Sequence, residues 1–166
     1  MGTKPHNRSE RSIVTEAAAL ALIAAGLLVA LSLFTYDPLD PSFNVANGRG
    51  EAANLVGRAG AWIADLLFQS AGLLAAAIPF VLVGFGIRGF AANRIRVSAP
   101  MTVGLAVITL ALAGFVSLFP KPELPWLENT SANGGLVGLA IAGALVAVLN
   151  RVGAGIVLGL AVLVTA

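Results

Sequence analysis

The sequence predicts an all-α fold: a polytopic integral membrane protein with about four transmembrane helices plus one interfacial amphipathic helix. Three observations predict it. The 166 residues are 58% hydrophobic and only 11% charged, with a mean hydropathy of +0.91, whereas a soluble domain is roughly half apolar and about a quarter charged. The apolar residues come in continuous blocks rather than at amphipathic spacing, which is how membrane spans read. Prolines and charges collect in the gaps between blocks, where helices have to end.

Residues 1–12 form a polar, basic tail with Lys4, Arg8 and Arg11. The first span is expected over 13–34, which is apolar except for Thr15, Glu16 and Ser32. At about 1.5 Å per residue it covers the roughly 30 Å hydrocarbon core. A basic tail before an apolar run also opens a signal peptide. This run is long for one, and it exits into Tyr36-Asp37-Pro38-Leu39-Asp40-Pro41 with no small-x-small cleavage pattern. An uncleaved span is therefore expected. The loop over 35–50 is rich in turn formers.

Residues 51–69 have a different pattern. Leu55, Val56, Ala59, Trp62, Ile63, Leu66 and Leu67 recur at helical spacing, with Glu51, Asn54, Arg58, Asp65 and Gln69 opposite. This predicts a helix lying in the interface plane, with Arg58 and Asp65 on a solvated polar face. The second span is expected over 71–87, kinked near Pro79. Arg88, Arg94 and Arg96 follow. The third span is expected over 100–119, opened by Pro100 and closed by Pro120, Pro122 and Pro125. Beyond it, 135–149 is apolar, short and glycine-rich, Asn150-Arg151 interrupts, and 152–166 is apolar again. Residues alone leave open whether 135–149 spans. A natural chain rarely stops inside an apolar run, so the chain is expected to be a fragment with its last span cut at Ala166.

Short loops rich in Lys and Arg stay in the cytoplasm. The tail carries Lys4, Arg8 and Arg11 and the loop at 88–98 carries three arginines without an acid, while Arg49, Arg58 and Lys121 on the other side are set among Asp37, Asp40, Glu51, Asp65, Glu123 and Glu128. The N-terminus is therefore expected inside a bacterial inner membrane. Trp62 and Trp126 fall at predicted membrane–water boundaries, where tryptophan anchors.

The same composition excludes several chemistries. A net charge of +2 with scattered basic residues provides no stripe to neutralise a run of phosphates, so direct nucleic-acid contact is not expected. The chain has no cysteine and one histidine, His6, which excludes disulfides, thiol catalysis and His- or Cys-based metal sites. There is no Walker A loop, serine nucleophile elbow or HExxH motif. Neither enzyme activity nor a cofactor is expected. Transporters and channels normally keep polar groups at mid-depth, and the clear spans have almost none. Gly134–Gly138 and Gly155–Gly159 have the spacing that lets helices pack closely. Contact within one subunit is the simpler use of them.

Three stretches carry a resemblance. The first span exits through Tyr36-Asp37-Pro38-Leu39-Asp40-Pro41-Ser42-Phe43. The amphipathic helix reads Gly60-Ala61-Trp62-Ile63-Ala64-Asp65-Leu66-Leu67-Phe68 and leads on to Ile78-Pro79. A later segment reads Gly134-Gly135-Leu136-Val137-Gly138. In this order and spacing they resemble the N-terminal membrane domain of FtsK/SpoIIIE-type DNA translocases over nearly the whole chain. The resemblance implies a four-span anchor at the division septum that works with septum proteins. It implies a homo-oligomer, hexameric at full length, and a cytoplasmic motor that would carry ATP and Mg outside this chain. It also places the final span from about Val152, leaving 135–149 as a periplasmic-side or re-entrant helix. The function expected is membrane anchoring and septum assembly, in division and chromosome segregation. The alternatives are a small free-standing membrane scaffold or a transporter or channel subunit. Asp37, Asp40, Trp62 and Asp65 are more specific than an anchor needs and are the candidate partner-contact residues.

Overall fold

The computed structural model describes residues 6–43, 45, 51–92, 98–124 and 130–165, with side chains described from Ile13 onward. Lys4, Arg49, Arg94, Arg96, Pro125, Trp126 and Glu128 lie outside the described residues. The elements are α1 (His6–Phe34), α2 (Gly57–Ala71), a 3-10 turn (Gly72–Ala76), α3 (Ala77–Ala92), α4 (Ala99–Ser117) and α5 (Gly135–Thr165). There is no strand among the described residues. Four helical stretches are long and apolar enough to cross a membrane: Ile13–Phe34, Gly57–Ala92, Ala99–Ser117 and Gly135–Thr165. The chain is thus an all-α, polytopic membrane protein.

The helices pack as two antiparallel pairs. In the first, α1 lies against α3. A Cβ added at Gly86 would meet Ile23 and the Ala19 carbonyl, and one added at Gly26 would meet Val83 and the Pro79 carbonyl. Rising numbers on α1 therefore meet falling numbers on α3. In the second pair, α5 lies against α4. Gly134 and Gly138 rest on the Ala113 carbonyl, where an added Cβ would come to 2.0 and 2.3 Å. In lipid there is no hydrophobic force between helices, so close backbone approach across small residues supplies the packing. Both glycine pairs singled out in the sequence face α4: Gly155 lies beside Leu118 and Gly159 beside Phe115.

Helix α5 is broken at Asn150, whose φ of 58° and ψ of −179° are not helical. Its side-chain oxygen accepts from the Val152 and Gly153 amides at 2.9 and 3.1 Å. Asn150 is thus the N-cap of the second half of α5, satisfying amides that a new helix leaves free. Arg151 donates through Nε to the Leu118 carbonyl at 2.9 Å, which places a cation at the C-terminal end of α4. The chain touches the last turns of α4 twice, at Gly134–Gly138 and again at Arg151.

Three boundaries differ from the sequence expectation, each for a physical reason. Helix α2 begins at Gly57, later than periodicity suggests, because Asn54–Gly57 form a turn: Gly57 N donates to the Asn54 carbonyl at 2.7 Å and Val56 N to the Asn54 side chain at 3.0 Å. Pro79 does not kink a span; it is in the first turn of α3, where no intrahelical N–H is lost. The change of direction comes earlier, in the 3-10 turn. Helix α3 also continues past Ile87 to Ala92, with Arg88 exposed as long basic side chains at span ends are.

Candidate partner-contact surface

Where α1 ends, the backbone runs out of helical partners, and polar side chains take over. Asp37 starts a turn, accepting from the Leu39 amide through its side chain at 2.9 Å and from the Asp40 amide through its carbonyl at 3.0 Å. Asp40 is 1% exposed. Its two oxygens accept from the Ala53 and Asn54 amides at 2.7 and 3.0 Å. Asp40 therefore closes the neck of the loop between them. Asn54 donates through Nδ2 to the Ser32 and Thr35 carbonyls at 2.8 and 3.2 Å. Those are last-turn carbonyls of α1, which a helix leaves unpaired. The Thr35 hydroxyl accepts from the Leu55 amide at 3.1 Å.

Asp65 on α2 is also 1% exposed. Tyr36 Oη donates to one of its oxygens at 3.0 Å and Gln69 Nε2 to the other at 2.9 Å. The Tyr36 ring lies 5.0 Å from that of Phe68, so the phenol is held from both sides. The expectation of a solvated face for Asp65 is corrected here. The face of α2 that contacts the rest of the protein is Gly60, Ala61, Ala64, Asp65 and Phe68. Arg58 does stay exposed. The large apolar residues Leu55, Trp62, Ile63 and Leu66 point outward. The helix is inside-out by the standard of a soluble protein, as polar groups in lipid turn toward the protein interior.

The four candidate residues therefore divide. Asp40 and Asp65 lie inside and hold α1, the loop neck and α2 together. Trp62 is 44% exposed and packs against Phe43, also exposed, with ring centroids 4.2 Å apart and planes tilted by 52°. Asp37 is half-buried at the turn. Leu39, Leu55, Ile63 and Leu66 extend the outward apolar patch.

A second polar knot, just before α5, joins the end of α4 to the 3-10 turn, and sequence reasoning missed it. Asn133 donates through Nδ2 to the carbonyls of Val116, Phe119 and Pro120, each at 3.1 Å. Its own carbonyl accepts from Leu73 at 2.7 Å. The signal was available in principle: an asparagine just before a glycine pair, after a proline-ended span, is a typical cap for exposed carbonyls. Among the described residues, no group of acidic or histidine side chains could hold a metal ion.

A family model described as the 4TM region of DNA translocase FtsK/SpoIIIE matches residues 11–166. The chain belongs to this family. Curated relatives agree. DNA translocase FtsK of Caulobacter vibrioides is 36% identical over 109 residues, covering 63% of this chain and 13% of the relative. That of Rickettsia typhi is 32% identical over 123 residues, covering 74% and 16%. That of Vibrio parahaemolyticus is 45% identical over 60 residues, covering 36% and 6%. The chain thus spans a small fraction of the FtsK proteins it matches, and what it matches is their transmembrane region. No solved structure matches it.

Proposed function

We propose that this chain is the membrane anchor and septum-assembly domain of an FtsK-like DNA translocase, acting in cell division and chromosome segregation from the bacterial inner membrane. The observation that carries this reading is the match of the 4TM family region to residues 11–166, together with four helical stretches fit to span. The motor, with its ATP and Mg, belongs to other parts of such a translocase. This chain's role is positional: it holds the molecule in the bilayer, as one subunit of a homo-oligomer. Its outward patch around Trp62 and Phe43, with the turn at Asp37, meets division-septum proteins. Asp40 and Asp65 shape that patch from beneath.

The N-terminus is cytoplasmic and the polar network lies at the periplasmic face. The basic residues of the tail and of the loop at 88–98 support this. The 135–149 segment is read as not crossing; the position of Gly138 on Ala113 and of Arg151 at Leu118, toward the same end of α4, supports this reading. The test is a fluorescent fusion of the chain in dividing cells. Enrichment at midcell is expected, and an even peripheral distribution would sink the septal reading. Single cysteines at Ser131 and Asn7 in this cysteine-free chain test the orientation. A membrane-impermeant maleimide should label only the first in intact cells.

A further inference from the structure

We infer that the two helix pairs are semi-independent arms that pack on each other at one joint, with the short chain between Ala92 and Ala99 linking them at the opposite end, and that this joint is the conformational element of the domain. Each arm is closely packed within itself: α1 on α3, and α4 on α5. Between the arms the situation differs. Among the described residues, none of the four helix combinations across the divide packs along its length; the arms meet where α2 and the 3-10 turn reach α4 and α5. That meeting place is at one end of the molecule, the end of the polar network.

The joint is made of backbone. Gly72 and Gly135 both have positive φ, 57° and 64°, a conformation that costs a residue with a Cβ. Each also faces the other arm. A Cβ on Gly72 would come to 2.1 Å from the Asn133 carbonyl oxygen, and one on Gly135 to 2.5 Å from the Ser70 carbonyl. One interstrand-like hydrogen bond, Leu73 N to Asn133 O at 2.7 Å, spans the seam. A small contact of turn residues between two packed bodies is the geometry of a hinge, where a few element-terminal residues absorb the motion. Helix α2 sits astride it, tied to α1 by Asp65–Tyr36 and abutting α5 through Gln69 and Ser70. A load on the outward face of α2 is therefore applied at the joint, and the far ends of the arms, at Val14 and Val164, respond.

The experiment is electron–electron distance measurement between spin labels on the 166-residue chain in nanodiscs; no native cysteine has to be removed. Labels at Val14 and Ile87 report within the first arm, and labels at Val14 and Val164 report across the arms. All three positions are exposed. The expected result is an across-arm distribution about twice as broad as the within-arm one. Gly135→Ala should shift the across-arm distribution further while leaving the within-arm distance in place. An across-arm distribution as narrow as the within-arm one overturns the inference, whatever the variant does. If Gly135→Ala disrupts both distances, the comparison of widths in the unsubstituted chain still decides. If it moves neither, the seam is not the joint.

Discussion

The two helix pairs solve one problem by different means. Each must end its helices near a membrane surface, where last-turn carbonyls lack partners. The α1–α3 pair ends in side chains borrowed from far along the chain: Asn54 covers the carbonyls of Ser32 and Thr35, and Asp40 and Asp65 gather amides, a phenol and a carboxamide. The α4–α5 pair ends in direct backbone approach, with Gly134 and Gly138 on Ala113, and with Asn133 and Arg151 donating to the exposed carbonyls of α4. The first arrangement is a network of replaceable hydrogen bonds. The second depends on the absence of side chains. They should therefore fail differently.

The largest effect is expected in the second pair. Gly134→Val would place a branched side chain where even a Cβ comes to 2.0 Å from a helix carbonyl. That oxygen is in the α4 backbone and cannot yield as a flexible side chain would. A loss of about 3 kcal/mol or more is expected, seen as a large fall in the melting temperature of the purified protein in detergent. A melting temperature within error of the unsubstituted protein would mean that the backbones are not in contact there.

A smaller and graded effect is expected in the first pair. Asp65→Ala removes two hydrogen bonds and leaves the Tyr36 hydroxyl without its acceptor, at an expected cost of about 2 kcal/mol. Tyr36→Phe removes one of the two bonds and should cost about 1 kcal/mol. The double substitution should cost less than the sum, because both single changes break the same bond. Strict additivity in the melts would show that Tyr36 and Asp65 do not interact, and the network would lose its centre.

The sequence carried this fold well at the level of the spans, because apolar blocks and prolines act locally. Pro120 and the Asn150-Arg151 interruption mark real ends for local reasons. What it could not carry was the direction of α2. A helical repeat says that Leu55, Trp62 and Leu66 share one face and Asn54 and Asp65 another. It does not say which face meets protein. In water the apolar face would turn inward; beside lipid it turns out, and Asp65 is buried against Tyr36, a residue from a different helix end. The role of Asn133 was illegible for the same reason. Its three acceptors lie on α4 and the following loop, and only the folded chain brings them together. The sequence named Asp37, Asp40, Trp62 and Asp65 together and could not tell that Asp40 and Asp65 are buried while Trp62 is exposed and Asp37 half-buried.

Trp62 offers the finest separation, because stability and assembly should part company there. Its ring is 44% exposed and its close aromatic neighbour, Phe43, is exposed as well. Trp62→Ala gives up that ring pair, worth about 1 kcal/mol, and opens no cavity in a packed core. The melting temperature should fall less than for Asp65→Ala, while midcell enrichment of the fusion should drop to the level of a diffuse membrane marker. If Trp62→Ala melts as early as Asp65→Ala, the tryptophan is a structural prop and the outward patch is not free to bind. If melting and enrichment both survive, the partner surface lies elsewhere, and the turn at Asp37 becomes the part of this end still to be probed. The division of labour between a buried polar layer and an exposed aromatic one holds only if the two substitutions separate.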